Sequence, residues 1–253
     1  MMKSWIVGPR TNHRASLRLF CFPYAGGSAA IYHDWQRHLP PSVEVCAVEL
    51  PGRGGRHKEE PFDRIEPLVD ALAKALLPYL DRPFTFFGHS MGALLSFELT
   101  RRLRRDFDLA PAHLFVSGHG APQMREMYPV RHDLPEPEFL DELHRLNGTP
   151  PEVLGNPEIM QILMPVLRAD FALCEFYKYT DEPPLDCPIS AFSGLRDQEM
   201  SREKLEGWRE QTTSAFSLRM FPGDHFFINT ARPLLLQILY RQLYELVGAS
   251  PRI

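Results

Sequence analysis

Short apolar runs dense in branched and aromatic residues punctuate the chain: Leu17-Arg-Leu-Phe-Cys-Phe22, Val43-Glu-Val-Cys-Ala-Val48, Phe84-Thr-Phe-Phe87, His113-Leu-Phe-Val116, Ile189-Ser-Ala-Phe192 and Leu218-Arg-Met-Phe221. Their length and composition predict strands. Between them, Ile65 to Leu80, Ala93 to Arg105 and Leu234 to Val247 carry apolar residues at helical spacing. Strand and helix in alternation predict an α/β fold, a mostly parallel central sheet flanked by helices.

The stretch from about 121 to 186 breaks that rhythm. It has no good strand, Pro-rich joints at Leu134-Pro-Glu-Pro137 and Thr149-Pro-Pro151, and helical pieces near Glu138 to Leu146 and Pro157 to Tyr179. Long structureless crossovers are uncommon, so the stretch predicts a helical insertion. Lying between two sheet strands, it would form a lid over the carboxyl edge of the sheet, where such folds put their sites.

Composition changes this picture little. With 253 residues, 44% hydrophobic and 24% charged, the chain fits a single domain over 1–253 with one insertion. A formal net charge of −4 argues against a nucleic-acid binder. The apolar run Trp5-Ile6-Val7 is too short for a signal-peptide core, and no stretch approaches the about 18 apolar residues of a membrane span. Cys21, Cys46, Cys174 and Cys187 form no C-x-x-C and read as reduced core or near-core residues. The expected location is the cytoplasm, with no membrane or nucleic-acid partner.

The chemistry concentrates at Gly88-His-Ser-Met-Gly92, which follows one predicted strand and precedes a predicted helix. G-x-S-x-G in that context is a nucleophile elbow, a sharp turn that lifts a serine hydroxyl clear of the sheet and needs small neighbours to do so. Ser90 is therefore the candidate nucleophile, and His89 reads as a packing or positioning residue. A serine hydroxyl needs a base oriented by an acid. In an α/β-hydrolase the partners follow in the order acid, then histidine, and the late His225 in Phe221-Pro-Gly-Asp-His-Phe226 fits the base. Asp197, after the strand at Ile189 to Phe192 and three residues past Gly194, is favoured as the acid over Glu199 and Asp224. An oxyanion needs two backbone N–H donors. Met91, directly after the nucleophile, supplies one. The loop Phe22-Pro-Tyr-Ala-Gly-Gly-Ser28 supplies the other, with Ala25 favoured over Tyr24 and Gly26.

These pieces together resemble the type II thioesterases, the free-standing editing enzymes of polyketide and nonribosomal peptide assembly lines, which are similar to the medium-chain fatty-acid thioesterase. The resemblance rests on Phe22-Pro-Tyr-Ala-Gly-Gly-Ser28, Glu49-Leu-Pro-Gly-Arg53, Gly88-His-Ser-Met-Gly92, Leu167-Arg-Ala-Asp170 with Glu175 and Tyr177 beyond, and Gly223-Asp-His-Phe226. It implies the α/β-hydrolase fold, a triad of Ser90, Asp197 and His225, oxyanion donors at Met91 and Ala25, and a helical lid covering an acyl chamber. It also implies hydrolysis of acyl or aminoacyl thioesters on the phosphopantetheine arm of an acyl or peptidyl carrier protein, with neither cofactor nor metal. Met164, Leu167, Phe171 and Phe176 are the expected chamber residues, because the insertion holds more apolar side chains than one face against the sheet needs. Leu167-Arg-Ala-Asp170 reads equally as a solvated Arg/Asp pair on an ordinary helix or as a gating element. Arg101-Arg-Leu-Arg-Arg105 reads as a solvated charged face, with attraction of an acidic carrier as the lesser alternative. Fold and triad alone leave a carboxylesterase or lipase acting on oxygen esters as the rival activity; a silent, hydrolase-fold binding protein is disfavoured by the intact triad.

Overall fold

A computed structural model describes residues 4–7, 12, 14–124 and 130–249. Its strands are β1 (Ile6–Val7), β2 (Leu17–Phe22), β3 (Val43–Val48), β4 (Phe84–His89), β5 (His113–Ser117), β6 (Ile189–Gly194) and β7 (Phe216–Phe221). They form one sheet in the order β1-β3-β2-β4-β5-β6-β7. Only β1 runs antiparallel to its neighbour. The helices are α1 (Ile65–Leu76), α2 (Met91–Phe107), α3 (Glu136–Leu146), α4 (Pro151–Leu154), α5 (Pro157–Phe176), α6 (Arg202–Glu206), α7 (Phe227–Thr230) and α8 (Arg232–Ala249). This is the mostly parallel α/β sheet that the strand–helix alternation predicts, in the α/β-hydrolase form that the resemblance implies.

Side chains two apart along a strand point to the same face, and the core divides accordingly. Phe20, Phe22, Phe84, Phe86, Leu114, Val116, Ile189 and Ala191 pack beneath α1 and α2. The alternate residues Leu19, Cys21, Phe87, Phe115 and Phe192 pack on the other face with Trp35 and the α8 residues Leu235, Leu239 and Leu243. Edge strand β7 is less covered; Ser217 and Arg219 face solvent, and a charge there blunts an open edge.

The strand order reverses between β2 and β4. From β2 the chain leaves toward the α8 face, whereas from β4 it enters α2 on the opposite face. Such a switch point opens a crevice at the carboxyl ends of the strands. Phe22 pairs with Gly88, so the loop after β2 and the turn after β4 emerge side by side.

The insertion expected over 121–186 holds α3, α4 and α5 between β5 and β6; residues 125–129 lie outside the described residues. It has its own small apolar cluster of Phe139, Leu143, Leu154, Met160 and Leu167. Asn156 caps α5, accepting from the N–H groups of Glu158 and Ile159, ahead of Pro157 at the first helical position. The sequence misses β1, with two residues too short to carry a period, and the single turns α4, α6 and α7. Among the described residues no helix is long and apolar enough to cross a membrane.

Candidate active site

Ser90 sits at the top of β4 with φ 53 and ψ −118, a backbone conformation that costs a non-glycine residue about 1–3 kcal/mol. Its neighbours explain how the turn closes. A Cβ on Gly88 would lie 2.0 Å from the Gly92 carbonyl oxygen, and one on Gly92 would lie 2.2 Å from that of Phe22. Glycine is needed there for close backbone approach, while the positive φ falls on the serine itself.

His225 follows β7 and Asp197 follows β6, in loops stitched together by Leu195 N–H to the Phe221 carbonyl (2.8 Å) and Arg196 N–H to the Gly223 carbonyl (2.9 Å). Gly194 permits this, since a Cβ there would stand 2.1 Å from the Asp224 carbonyl oxygen. His225 Nδ1 lies 2.8 Å from Asp197 Oδ2. The Asp197 side chain has no solvent exposure and receives three more hydrogen bonds, from the N–H groups of Glu199 and Met200 and from the Ser193 hydroxyl. Burial pushes the Asp197 carboxyl upward, but the His225 ring and these donors outweigh it and hold the group below its ordinary range. An ionised Asp197 keeps the proton on His225 Nδ1 and leaves Nε2 as the acceptor.

The other carboxylates considered for the acid are engaged elsewhere. Asp224 turns back to accept from the Phe226 N–H at 2.9 Å, an ordinary loop role. Glu199 caps Asp197 with its backbone and spends its carboxylate on Arg131 and Arg145. His89 is fully buried, with Nδ1 2.8 Å from the Ser117 hydroxyl and its ring 5.3 Å from that of His225. Burial and the nearby His225 depress its basicity well below the usual imidazole value, so it packs as a neutral ring behind the His225 imidazole.

Ser90, His225, Met91 and Ala25 line one cavity of about 110 Å³. Met91 is the first residue of α2, so its N–H has no intrahelical partner. In the loop after β2, Gly27 N–H donates to the Tyr24 carbonyl and Gly26 N–H to Asp170 Oδ2. Gly26 is thereby unavailable as an oxyanion donor, and among the described residues no hydrogen bond takes the Ala25 N–H.

From the helical insertion, Leu167 and Phe171 line the cavity, together with Leu143, Cys174 and Glu175. Met164 and Phe176, expected there, do not. Phe176 is 43% exposed, its ring under the Arg64 guanidinium and against His132; it is the last residue of α5 and is turned away from the cavity. Leu167-Arg-Ala-Asp170 is not a solvated pair either. Arg168 covers the Phe139 ring and donates to the His132 carbonyl, while Asp170 is buried and meets both arms of buried Arg53 at 2.7 and 2.8 Å. Sequence reasoning singled out both the Pro-Gly-Arg and the Leu-Arg-Ala-Asp segments without linking them, because they stand 117 residues apart. In the Arg101–Arg105 face, Arg101 is buried against Glu98 and Glu182, and Arg102, Arg104 and Arg105 all have carboxylate partners. It is an internally neutralised helix face.

A sheet of this order with an elbow serine on β4 and a His–Asp pair delivered from the ends of β7 and β6 defines an α/β-hydrolase. A thioesterase-domain family model matches residues 17–243. The chain is 45% identical over 242 residues to the gramicidin S biosynthesis protein GrsT of Aneurinibacillus migulanus, covering 96% of this chain and 94% of the relative. Its fold superposes with a TM-score of 0.86 on RedJ, the thioesterase from the prodiginine biosynthetic pathway in Streptomyces coelicolor, at 41% identity over 93% of this chain and 88% of that one. It also superposes with a TM-score of 0.87 on the type II thioesterase BorB from the borrelidin biosynthetic cluster, at 35% identity over 96% and 100%. The chain belongs to the thioesterase family, in its type II branch of nonribosomal peptide and polyketide pathways.

Proposed function

We propose that this thioesterase releases short acyl or aminoacyl groups from the phosphopantetheine arm of acyl or peptidyl carrier proteins, clearing stalled synthases. Ser90 is the nucleophile, His225 the base and Asp197 the orienting acid. The observation that carries the reading is the His225–Asp197 pair meeting Ser90 at a cavity also lined by Met91 and Ala25.

In this reading the Ser90 hydroxyl attacks the thioester carbonyl while His225 Nε2 takes its proton. The carbonyl oxygen becomes an oxyanion, received by the N–H groups of Met91 and Ala25. Collapse breaks the C–S bond, and the pantetheine sulfur leaves with the proton from His225. A water then adds to the Ser90 ester, giving its proton to His225, and the second collapse returns that proton to Ser90 and frees the acid. Asp197 stays ionised throughout and stabilises the imidazolium. The insertion of α3 to α5 acts as the lid of the acyl chamber. A cavity of about 110 Å³ is smaller than the roughly 150 Å³ void that accepts benzene, so acyl groups of a few carbons fit best.

Ser90→Ala tests the reading. Turnover of acetyl- and propionyl-pantetheine carrier should fall by several orders of magnitude with an unchanged thermal melt, and a fluorophosphonate probe should no longer label the protein. Near-normal turnover in folded Ser90→Ala would remove Ser90 from the mechanism. A wild-type enzyme that cleaves p-nitrophenyl esters and ignores loaded carriers would make it an esterase instead.

A further inference from the structure

The loop after β2 is a four-residue turn. Gly27 N–H donates to the Tyr24 carbonyl at 2.8 Å, and Gly26, in the third position, has φ +75. Those features mark a type II turn. The central peptide of such a turn, here Ala25–Gly26, can rotate about its two flanking bonds and convert the turn to type I without breaking the closing hydrogen bond. That rotation turns the Gly26 N–H and the Ala25 carbonyl but leaves the Ala25 N–H, which belongs to the preceding peptide, so the Ala25 N–H is aimed by where the turn as a whole is anchored. An oxyanion hole built on such a loop therefore needs something to anchor the turn.

The holder comes from α5. Asp170 Oδ2 accepts the Gly26 N–H at 2.7 Å, which fixes the central peptide in one orientation. The carboxylate is itself fixed: Arg53 grips both its oxygens and also donates to the Gly27 carbonyl at 3.1 Å. One turn earlier on the same helix, Leu167 lies against the face of Gly26, where a Cβ would stand 2.4 Å from its Cδ2. Arg53 and Asp170 are both almost wholly buried, so neither oxygen has solvent as an alternative partner.

We infer that Asp170, held by Arg53, is a positioning residue that anchors the turn by its Gly26 N–H, with Arg53 on the Gly27 carbonyl, so that the neighbouring Ala25 N–H faces the reacting carbonyl oxygen. This rests on the proposed roles of Ser90 and Ala25. It makes α5 a fixed wall at Leu167 to Asp170: the helix that closes the acyl chamber also completes the catalytic machinery, and any opening must occur elsewhere in the insertion.

The test uses the full-length protein with Asp170→Ala, Asp170→Asn and Arg53→Gln, all checked by thermal melt. A small alkyl boronic acid, which adds to Ser90 and places a tetrahedral oxygen in the hole, reports on oxyanion binding. A non-hydrolysable thioether analogue of the pantetheine substrate reports on ground-state binding. Losing one oxyanion donor lowers kcat by about 10²–10³, and Asp170→Ala should approach that loss with KM and thioether affinity changed less than about threefold. Asp170→Asn, whose amide oxygen can still accept the Gly26 N–H, should recover part of it. Across the variants that fold, boronate affinity should fall by the same factor as kcat, and the carbonyl stretch of the acyl-enzyme should move to higher frequency. Normal kcat in a folded Asp170 variant, or a kcat loss without a matching boronate loss, would overturn the inference. If Asp170→Ala does not fold, Asp170→Asn and Arg53→Gln decide by the same relation. Hydrolysis of p-nitrophenyl acetate, followed in parallel, depends on Ser90 and the hole but not on a carrier, so failure of the carrier assignment leaves this result readable.

Discussion

The two walls of the cavity are built by different means. The sheet edge is held by backbone: glycines at 88, 92 and 194 that allow carbonyls within contact of their Cα positions, and main-chain hydrogen bonds linking the Asp197 and His225 loops. The helical wall has a small apolar cluster of its own, roots in the main core through Leu173 and Tyr177, and is otherwise held by charges. Arg131 and Arg145 bind Glu142 and Glu199, His132 meets Glu175, and Arg53 meets Asp170. Backbone closure fixes atoms to fractions of an ångström and tolerates no substitution. Partly exposed ion pairs are each worth little, a median of about 0–1 kcal/mol, and trade partners cheaply. The buried Arg53–Asp170 pair is the exception, since removing one member leaves a buried charge at a cost of about 3–5 kcal/mol. In the proposed roles the nucleophile, base and acid sit on the rigid wall, and the shape of the chamber away from Asp170 on the adaptable one.

That contrast can be broken most sharply at the acid. Asp197→Asn should reduce turnover by about 10³–10⁴, because the amide no longer fixes the imidazole tautomer or stabilises its cation. Asp224→Asn should stay within about threefold of wild type. Steady-state hydrolysis of an acyl-pantetheine substrate makes the comparison, and a reversed ranking would move the acid to Asp224.

On the other wall the expected effects concern selectivity. Phe171→Ala enlarges the cavity and should raise the rate for hexanoyl relative to acetyl carriers by about tenfold, since a methylene in an apolar pocket is worth about 1–3 kcal/mol. Phe176→Ala, off the cavity, should leave that ratio within about twofold. Competition between acyl chain lengths measures it. Equal shifts from both variants would mean that the chamber is set by the helix as a whole and not by the residues facing it.

The smallest effect lies far from either wall and concerns stability. His113 stacks on Phe115, bonds the Ser190 hydroxyl through Nε2, and is pushed down to about 4 by burial. In the unfolded chain it titrates near 6.5. Its contribution is therefore complete above about pH 6.5 and is lost as pH falls from there toward about 4, by on the order of 2–3 kcal/mol. His89 acts in the same direction. Denaturant unfolding of wild type and His113→Gln over that window should show a shallower decline in the variant; parallel curves would exclude His113 as a source.

Sequence was informative where a local rule governs geometry. The strands at Leu17, Val43, Phe84, His113 and Ile189 follow from short apolar runs, and the elbow from two glycines at fixed offsets around Ser90. His225 follows from chain order. The chamber was less legible because helical spacing identifies an apolar face without saying what that face meets. Phe171 and Phe176, five residues apart on α5, look alike in sequence, yet one lines the cavity and the other lies under Arg64. The Arg53–Asp170 lock, and the part of the α2 neutralisation that comes from Glu182 and Asp70, were illegible for a related reason: those partners are distant in the chain, and charge patterning reads only near neighbours.

Position 90 also carries a consequence for how such a sequence can drift. With φ 53 and ψ −118, its backbone occupies territory in which glycine rests without strain and every other residue is forced. Any glycine arising there would relax the turn and remove the proposed nucleophile in one step. Selection for a sturdier chain and selection for a working one pull this single codon in opposite directions, so thermal screening alone would enrich inactive protein at the position where activity begins.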